Sequence, residues 1–154
     1  MMAKYFEDFA IGDKFISPGR TITETDVVLF SGLSGDYNPL HTNSEFAKET
    51  IFGERVVHGL LGLSIVSGLS ARLGIFDGTI IAFLGIEKWE FTKPILLNDT
   101  VHLEMTIIDK RETSKNDRGI LYREVKLFNQ HGDIVQQGVL PVMIKKKSFN
   151  LQSV

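Results

Sequence analysis

The sequence predicts an α+β fold in which an antiparallel sheet curls around one long buried helix. Three observations lead to it. Residues 20–75 read as helices and loops whereas residues 79–147 read mostly as strands, unlike the regular alternation of βαβ units. One helical candidate, Gly59 to Leu73, is apolar on nearly every side. Several segments of the second half alternate apolar and polar residues, the period of a sheet with one buried face.

Taken in chain order, "TETDVVLFSGLSG" opens on Thr23-Glu24-Thr25-Asp26, which fits a capping-box start, and Gly32 and Gly35 provide a stop. Thr42-Asn43-Ser44-Glu45 carries a second capping signal, for a short helix running to about Thr50, with Thr42 and Asn43 both able to cap it. The third helix, "GLLGLSIVSGLSARL", has no charge before Arg72 and would be about 22 Å long. A helix apolar all round is expected to be buried all round. Ser64, Ser67 and Ala71 form one small, mildly polar stripe on it, opposite Leu61, Ile65, Val66 and Leu69. Glycines at 62 and 68 weaken it intrinsically, so packing must hold it.

"IIAFLGIEKWEF" supplies one or two strands. In "TVHLEMTI" one face carries Val101, Leu103, Met105 and Ile107. In "LYREVKL" it carries Leu121, Val125 and Leu127, with Arg123 out of pattern. Asn129 to Asp133 reads as a hairpin turn, and "IVQQGVLPVMIKK" as a later strand in which Pro141 favours an edge or bulge.

Composition narrows the function classes. A chain of 154 residues argues for one domain, 1–154, large enough to bury a core without disulfides or metals. Seventeen basic against nineteen acidic residues give a net charge of −2, which offers no footprint for nucleic acid. The one basic run, Lys145-Lys146-Lys147, reads as a solvated strand end. There is no cysteine, which excludes thiol catalysis and thiolate metal sites. The N-terminal "MMAKYFEDFAIGDKF" lacks a signal-peptide apolar stretch and no segment offers about 20 apolar residues, so a soluble cytoplasmic protein without a membrane partner is expected.

The chemistry concentrates in "SGDYNPLHTN". Asp36 and His41 flank a stiff turn around Pro39, and such a pair can work as general acid and base near neutral pH. Alone, these residue types are also what turns are made of. The second segment, "ERVVHGLLGLS", places a Gly59 amide at the mouth of the apolar helix, where a dipole favours negative charge. His58 beside it reads as a satisfied core histidine, and a metal site on Asp36, His41 and His58 lacks diagnostic spacing.

"SGDYNPLHTNSEFA" followed by "VVHGLLGLSIVSG" resembles the signature of the MaoC-like hydratases and dehydratases, the (R)-specific enoyl-CoA hydratase family. "YFEDFAIGDKF" and "FTKPILLNDTV" are also similar to family segments, so the likeness covers most of the chain. The resemblance implies a hot-dog fold and reversible hydration of trans-2-enoyl-CoA to (R)-3-hydroxyacyl-CoA. It implies Asp36 and His41 as the catalytic pair, Gly59 as oxyanion-hole amide, and Asn38 and Ser67 as supporting residues. It also implies an acyl-CoA thioester partner, a homodimer or higher assembly of dimers, and no cofactor or metal. Many members carry Asp where this chain has Asn43, which can still cap a helix. Lys93, Arg118 and the Lys145–Lys147 run are candidates for CoA contacts. A hot-dog thioesterase and a non-catalytic acyl-thioester-binding subunit are the rival expectations.

Overall fold

The computed structural model describes residues 3–151, so the domain expected over 1–154 extends past the described residues at both ends. Strands β1 (Lys14–Ile16) and β2 (Arg20–Thr21) precede helices α1 (Glu24–Ser34), α2 (Pro39–Thr42), α3 (Ser44–Lys48) and α4 (Gly59–Ala71). Six strands follow: β3 (Ile80–Phe83), β4 (Glu87–Phe91), β5 (Thr100–Glu112), β6 (Arg118–Phe128), β7 (Ile134–Val139) and β8 (Val142–Lys145). They form an antiparallel sheet ordered β1-β5-β6-β7-β4, with β2 also on β5, β8 also on β6 and β3 on β8.

The period-2 patterning sets this sheet. Val101, Leu103, Met105 and Ile107 on β5 are fully buried, as are Leu121 and Leu127 on β6. The register pairs Leu103 with Leu127, Met105 with Val125 and Ile107 with Arg123. Arg123, which breaks the apolar pattern, nonetheless faces inward and is 4% exposed. The long segment from Ile134 is not one strand. β6 pairs with β7 along Glu124–Phe128 and with β8 along Arg118–Leu121, and the chain breaks between them at Leu140-Pro141. Proline has no amide proton for a ladder, so the break falls where sequence placed an edge or bulge. The Leu140 amide donates to the Arg123 carbonyl (2.8 Å) and fixes the bend.

Helix α1 starts as its capping box requires. Thr23 Oγ1 accepts from the Asp26 amide, the Asp26 carboxylate accepts from the Thr23 amide, and Gly35 closes the helix in the left-handed region at φ 75°. Gly32 lies inside the helix. Asn43 is the cap of α3, its Oδ1 accepting from the Glu45 and Phe46 amides. The one-turn α2 has no counterpart in the sequence expectations. Pro39 begins it, tolerated there because the first amides of a helix lack partners anyway.

Helix α4 buries Leu61, Gly62, Ile65, Val66 and Leu69 against the curled sheet. The expectation of burial on all sides fails. Leu60, Ser64, Ser67, Gly68 and Ala71 are exposed, because the sheet wraps only the leucine and isoleucine face and leaves the small-residue stripe uncovered.

Gly62 shows what holds this helix. A β-carbon there would sit 2.2 Å from Gln136 Nε2 and 2.9 Å from Ile95 Cδ1, so a glycine is needed for α4 to approach β7 this closely. In an open helix Gly→Ala stabilises by about 1 kcal/mol. Here the overlap decides the sign, and Gly62→Ala should destabilise by about 1–3 kcal/mol, measured by urea unfolding.

Candidate active site

Two turns and one helix terminus build the site. After α1, Ser34 to Asn38 form a polar loop whose side-chain bonds are local. The Asp36 amide donates to Ser34 Oγ (3.1 Å), and the Asp36 carboxylate accepts from the Asn38 amide (3.1 Å). Asn38 Oδ1 caps α2 by accepting from the Leu40 amide (2.9 Å). Helix α2 then presents His41.

The His41 ring is fixed by one bond. Its Nδ1 lies 2.7 Å from the Val56 carbonyl, an acceptor, so Nδ1 carries the proton and Nε2 is left bare. On its other face lies the His58 ring, centroid to centroid 3.9 Å at 29°. His58 is 2% exposed; its Nε2 donates to the Asp36 carbonyl (3.0 Å) and lies 3.3 Å from Ser31 Oγ. Its Nδ1 is buried without a partner among the described residues. His58 is therefore not the fully satisfied core histidine expected from sequence. It ties the loop of Asp36 to the start of α4 and backs the ring of His41.

Asp36, His41 and His58 bring ligand-type atoms within 4.8 Å of one another, so the carboxylate and the imidazole converge across the turn. They open onto a cavity of about 600 Å³ whose wall includes Gly59, Phe91, Lys93, Ile95 and Gln136. Gly59 is the first residue of α4, and its amide is one of those without an intrahelical acceptor. A β-carbon on Gly59 would lie 2.8 Å from the Phe91 ring, so the aromatic closes directly over the helix mouth.

Gln136 is a residue that sequence reading passed over. It is 2% exposed, its Nε2 donates to the Gly59 carbonyl (2.9 Å), and its Oε1 accepts from Trp89 Nε1 (3.3 Å). The first turn of α4 is thereby pinned to β7 and, through Trp89, to β4. The available signal was an amide side chain on the inward side of the strand "IVQQGV".

The sequence-derived residues do not all meet. Asp36, His41 and Gly59 line one cavity. Asn38 caps α2 beside it, and Ser67 lines a second cavity of about 630 Å³ further along α4. Leu60 belongs to the walls of both. Asn43 acts as a helix cap. Of the cationic candidates, Lys93 lies on the site wall and pairs with Asp133 (2.6 Å), while Arg118 pairs with Asp117 (2.7 Å). Lys146 pairs with Glu112, Lys147 with Asp8, and Lys145 lies over the Phe149 ring.

The comparisons with known proteins agree with this frame. Residues 8–127 match the MaoC-like domain, and the chain belongs to that family. It is 42% identical to protein MaoC of Klebsiella aerogenes over 75% of this chain, although it spans only 33% of that protein. It is 35% identical to an (R)-specific enoyl-CoA hydratase of Rhodospirillum rubrum, over 70% of this chain and 72% of the relative. An Archaeoglobus structure described as a monoamine oxidase regulatory protein superposes with TM-score 0.87 at 35% identity, covering 96% and 97% of the two chains. A double hot-dog protein of Mycobacterium tuberculosis gives TM-score 0.83 at 17% identity, over 94% of this chain and 45% of that one, a likeness of fold alone. The architecture is the hot-dog fold. Among the described residues no helix is long and apolar enough to cross a membrane.

The segments that bear the site are joined by one ion pair. Arg55 Nη1 donates to Glu24 Oε1 (2.9 Å) and Nη2 to Oε2, linking the strand-like approach to α4 with the start of α1. Hydrogen bonding from Arg55 holds the Glu24 carboxyl below its ordinary value. The pair thus contributes stability above the carboxylate range and loses it as pH falls through the lowered value. Glu24 is 56% exposed, which limits the effect to about 1 kcal/mol or less. Glu24→Gln should lower stability by that amount at pH 7, with the difference vanishing in acid, followed by thermal unfolding across pH.

Proposed function

We propose that this chain is a hydro-lyase that interconverts trans-2-enoyl-CoA and (R)-3-hydroxyacyl-CoA. The observation that carries the reading is the convergence of the Asp36 carboxylate and the His41 imidazole, whose Nδ1 is held by the Val56 carbonyl, on a cavity walled by the first turn of α4. The names of the hydratase relatives support it.

In this reading one water sits between Asp36 and His41. His41 Nε2 takes a proton as the water oxygen bonds to C3, and Asp36 orients the water by accepting its other hydrogen. The proton taken is returned to C2, so the pair ends as it began. Charge that develops on the thioester oxygen meets the Gly59 amide and the positive end of α4. Positioned proton transfer of this kind contributes about 10²–10⁴-fold. One such amide donor is worth about 2.7–4 kcal/mol.

A homodimer is part of the proposal. Strand β4 is one end of the order β1-β5-β6-β7-β4 and β3 pairs only with β8, and Ile80, Phe83, Leu84 and Ile86 stand exposed on β3 and on the turn that joins it to β4. A sheet edge rimmed by apolar side chains is best covered by a second copy. Light scattering on the eluted peak should give twice the mass of the chain; a stable monomer at micromolar concentration contradicts it.

A second reading has one observation in its favour: Asp36, His41 and His58 stand close enough to share a cation. His41 Nδ1 and His58 Nε2 are each engaged by a backbone carbonyl, which leaves one nitrogen on each ring for such a role.

The test uses enoyl-CoA hydration followed at the enoyl chromophore. Asp36→Asn and His41→Ala should each lower kcat by about 10²–10⁴-fold with the fold intact by circular dichroism. Near-normal rates in both variants would overturn the assignment. Loss of activity on dialysis against chelator supports the cation reading instead, and release of free CoA thiol supports a thioesterase.

A further inference from the structure

The second cavity contains a charge that the proposed chemistry does not use and that its contacts in the fold do not require. It runs along the uncovered face of α4, from Leu60 past Ser64 and Ser67 to Ser70, and its far wall holds Arg123. That guanidinium is buried, with Nε donating to the Leu140 carbonyl (2.9 Å) and Nη1 to Ser70 Oγ (3.3 Å) and Met105 Sδ (3.9 Å). The Phe76 ring lies 5.2 Å away. A guanidinium has five N–H donors. Among the described residues no carboxylate lies within ion-pair distance, and Nη2 has no protein acceptor. Asp77 stands on the same wall but is exposed and forms no pair with it.

Burial pushes Arg123 down to about 10, which leaves it protonated at neutral pH. Removing an unpaired cation from water is costly, and holding the bend at Leu140 does not require it. The Leu140 amide already donates to the Arg123 carbonyl there, and one neutral donor could serve the Leu140 oxygen. A charged fork on the wall of a mostly apolar cavity, whose other polar lining is Ser64, Ser67, Ser70 and the exposed Asp77, matches a carboxylate, which can accept two parallel N–H bonds.

We propose that Arg123 binds a carboxylate at the far end of the acyl group, so that the preferred substrates are CoA monothioesters of dicarboxylic acids. The proposal rests on the hydratase reading for the position of the thioester at Gly59. Leu60 lines both cavities, and the proposal takes the acyl group past it from the first into the second. From Gly59 to Ser70 the helix advances about 16 Å. That span calls for a medium-length chain, and a four-carbon acyl group would leave Arg123 untouched.

Two measurements test it. Calorimetry compares the saturated, unreactive pair dodecanoyl-CoA and dodecanedioyl-CoA (monothioester), together with their eight- and ten-carbon analogues. At one or more of these lengths the carboxyl-ended ligand should bind at least roughly tenfold tighter, the low end for a charge-assisted hydrogen bond. Arg123→Met should abolish that preference and leave the methyl-ended ligand bound as before or better, and Arg123→Lys should retain part of it. Equal or weaker binding of the carboxyl-ended ligand at every length, or a preference that persists in Arg123→Met, overturns the proposal. The wild-type comparison decides even if Arg123→Met does not fold. The matched trans-2-enoyl esters are then assayed for hydration. Preference without turnover supports the Arg123 assignment and defeats the hydratase reading, whereas turnover without preference does the reverse.

Discussion

The first turn of α4 is held against the sheet with only a glycine's thickness between them, and the site depends on that approach. Gly62 leaves the space, Gln136 fills it, and the Gln136 amide fixes the Gly59 carbonyl. An amide side chain buried without partners would be destabilising; here both of its ends are bonded, to Gly59 and to Trp89. The position of the Gly59 amide is therefore set by packed elements and not by a loop.

The loop of Asp36 has no such core of its own. Its order comes from local turn bonds and from two histidines that face each other. His58, buried at the N-terminus of α4, reaches back to the Asp36 carbonyl, and His41 is clamped by the Val56 carbonyl just before that helix. Each imidazole spends one nitrogen on the backbone. What remains is one nitrogen on each ring, with the His41 imidazole near the Asp36 carboxylate and beside a helix terminus that favours negative charge. Rigid positioning of weak acids and bases is what proton transfer at neutral pH requires.

Much of this was legible in the residues. The capping box at Thr23, the alternation through Val101–Ile107 and the turn at Asn129–Asp133 are local signals, and local signals survive folding. The proximity of Asp36, His41 and Gly59 was expected from two linked motifs. Other features depend on long-range contacts that no window of sequence contains. Gln136 lies 77 positions from the carbonyl it holds. The exposure of Ser64 and Ser67 follows from how far the sheet wraps, and the inward turn of Arg123 from a strand register with Ile107. His58 read as ordinary core because its stacking partner, His41, sits on a one-turn helix that sequence reading takes as a turn.

The most direct test of the central claim, that one water is divided between C3 and C2 of an enoyl thioester at Asp36 and His41, is isotopic. The protein is incubated with a trans-2-enoyl-CoA in deuterated water enriched in oxygen-18, and the product is read by mass spectrometry. The account predicts one oxygen-18 at C3 and one deuterium at C2 of an intact thioester. Oxygen-18 in a liberated carboxylate, or a substrate recovered without either label, would contradict it.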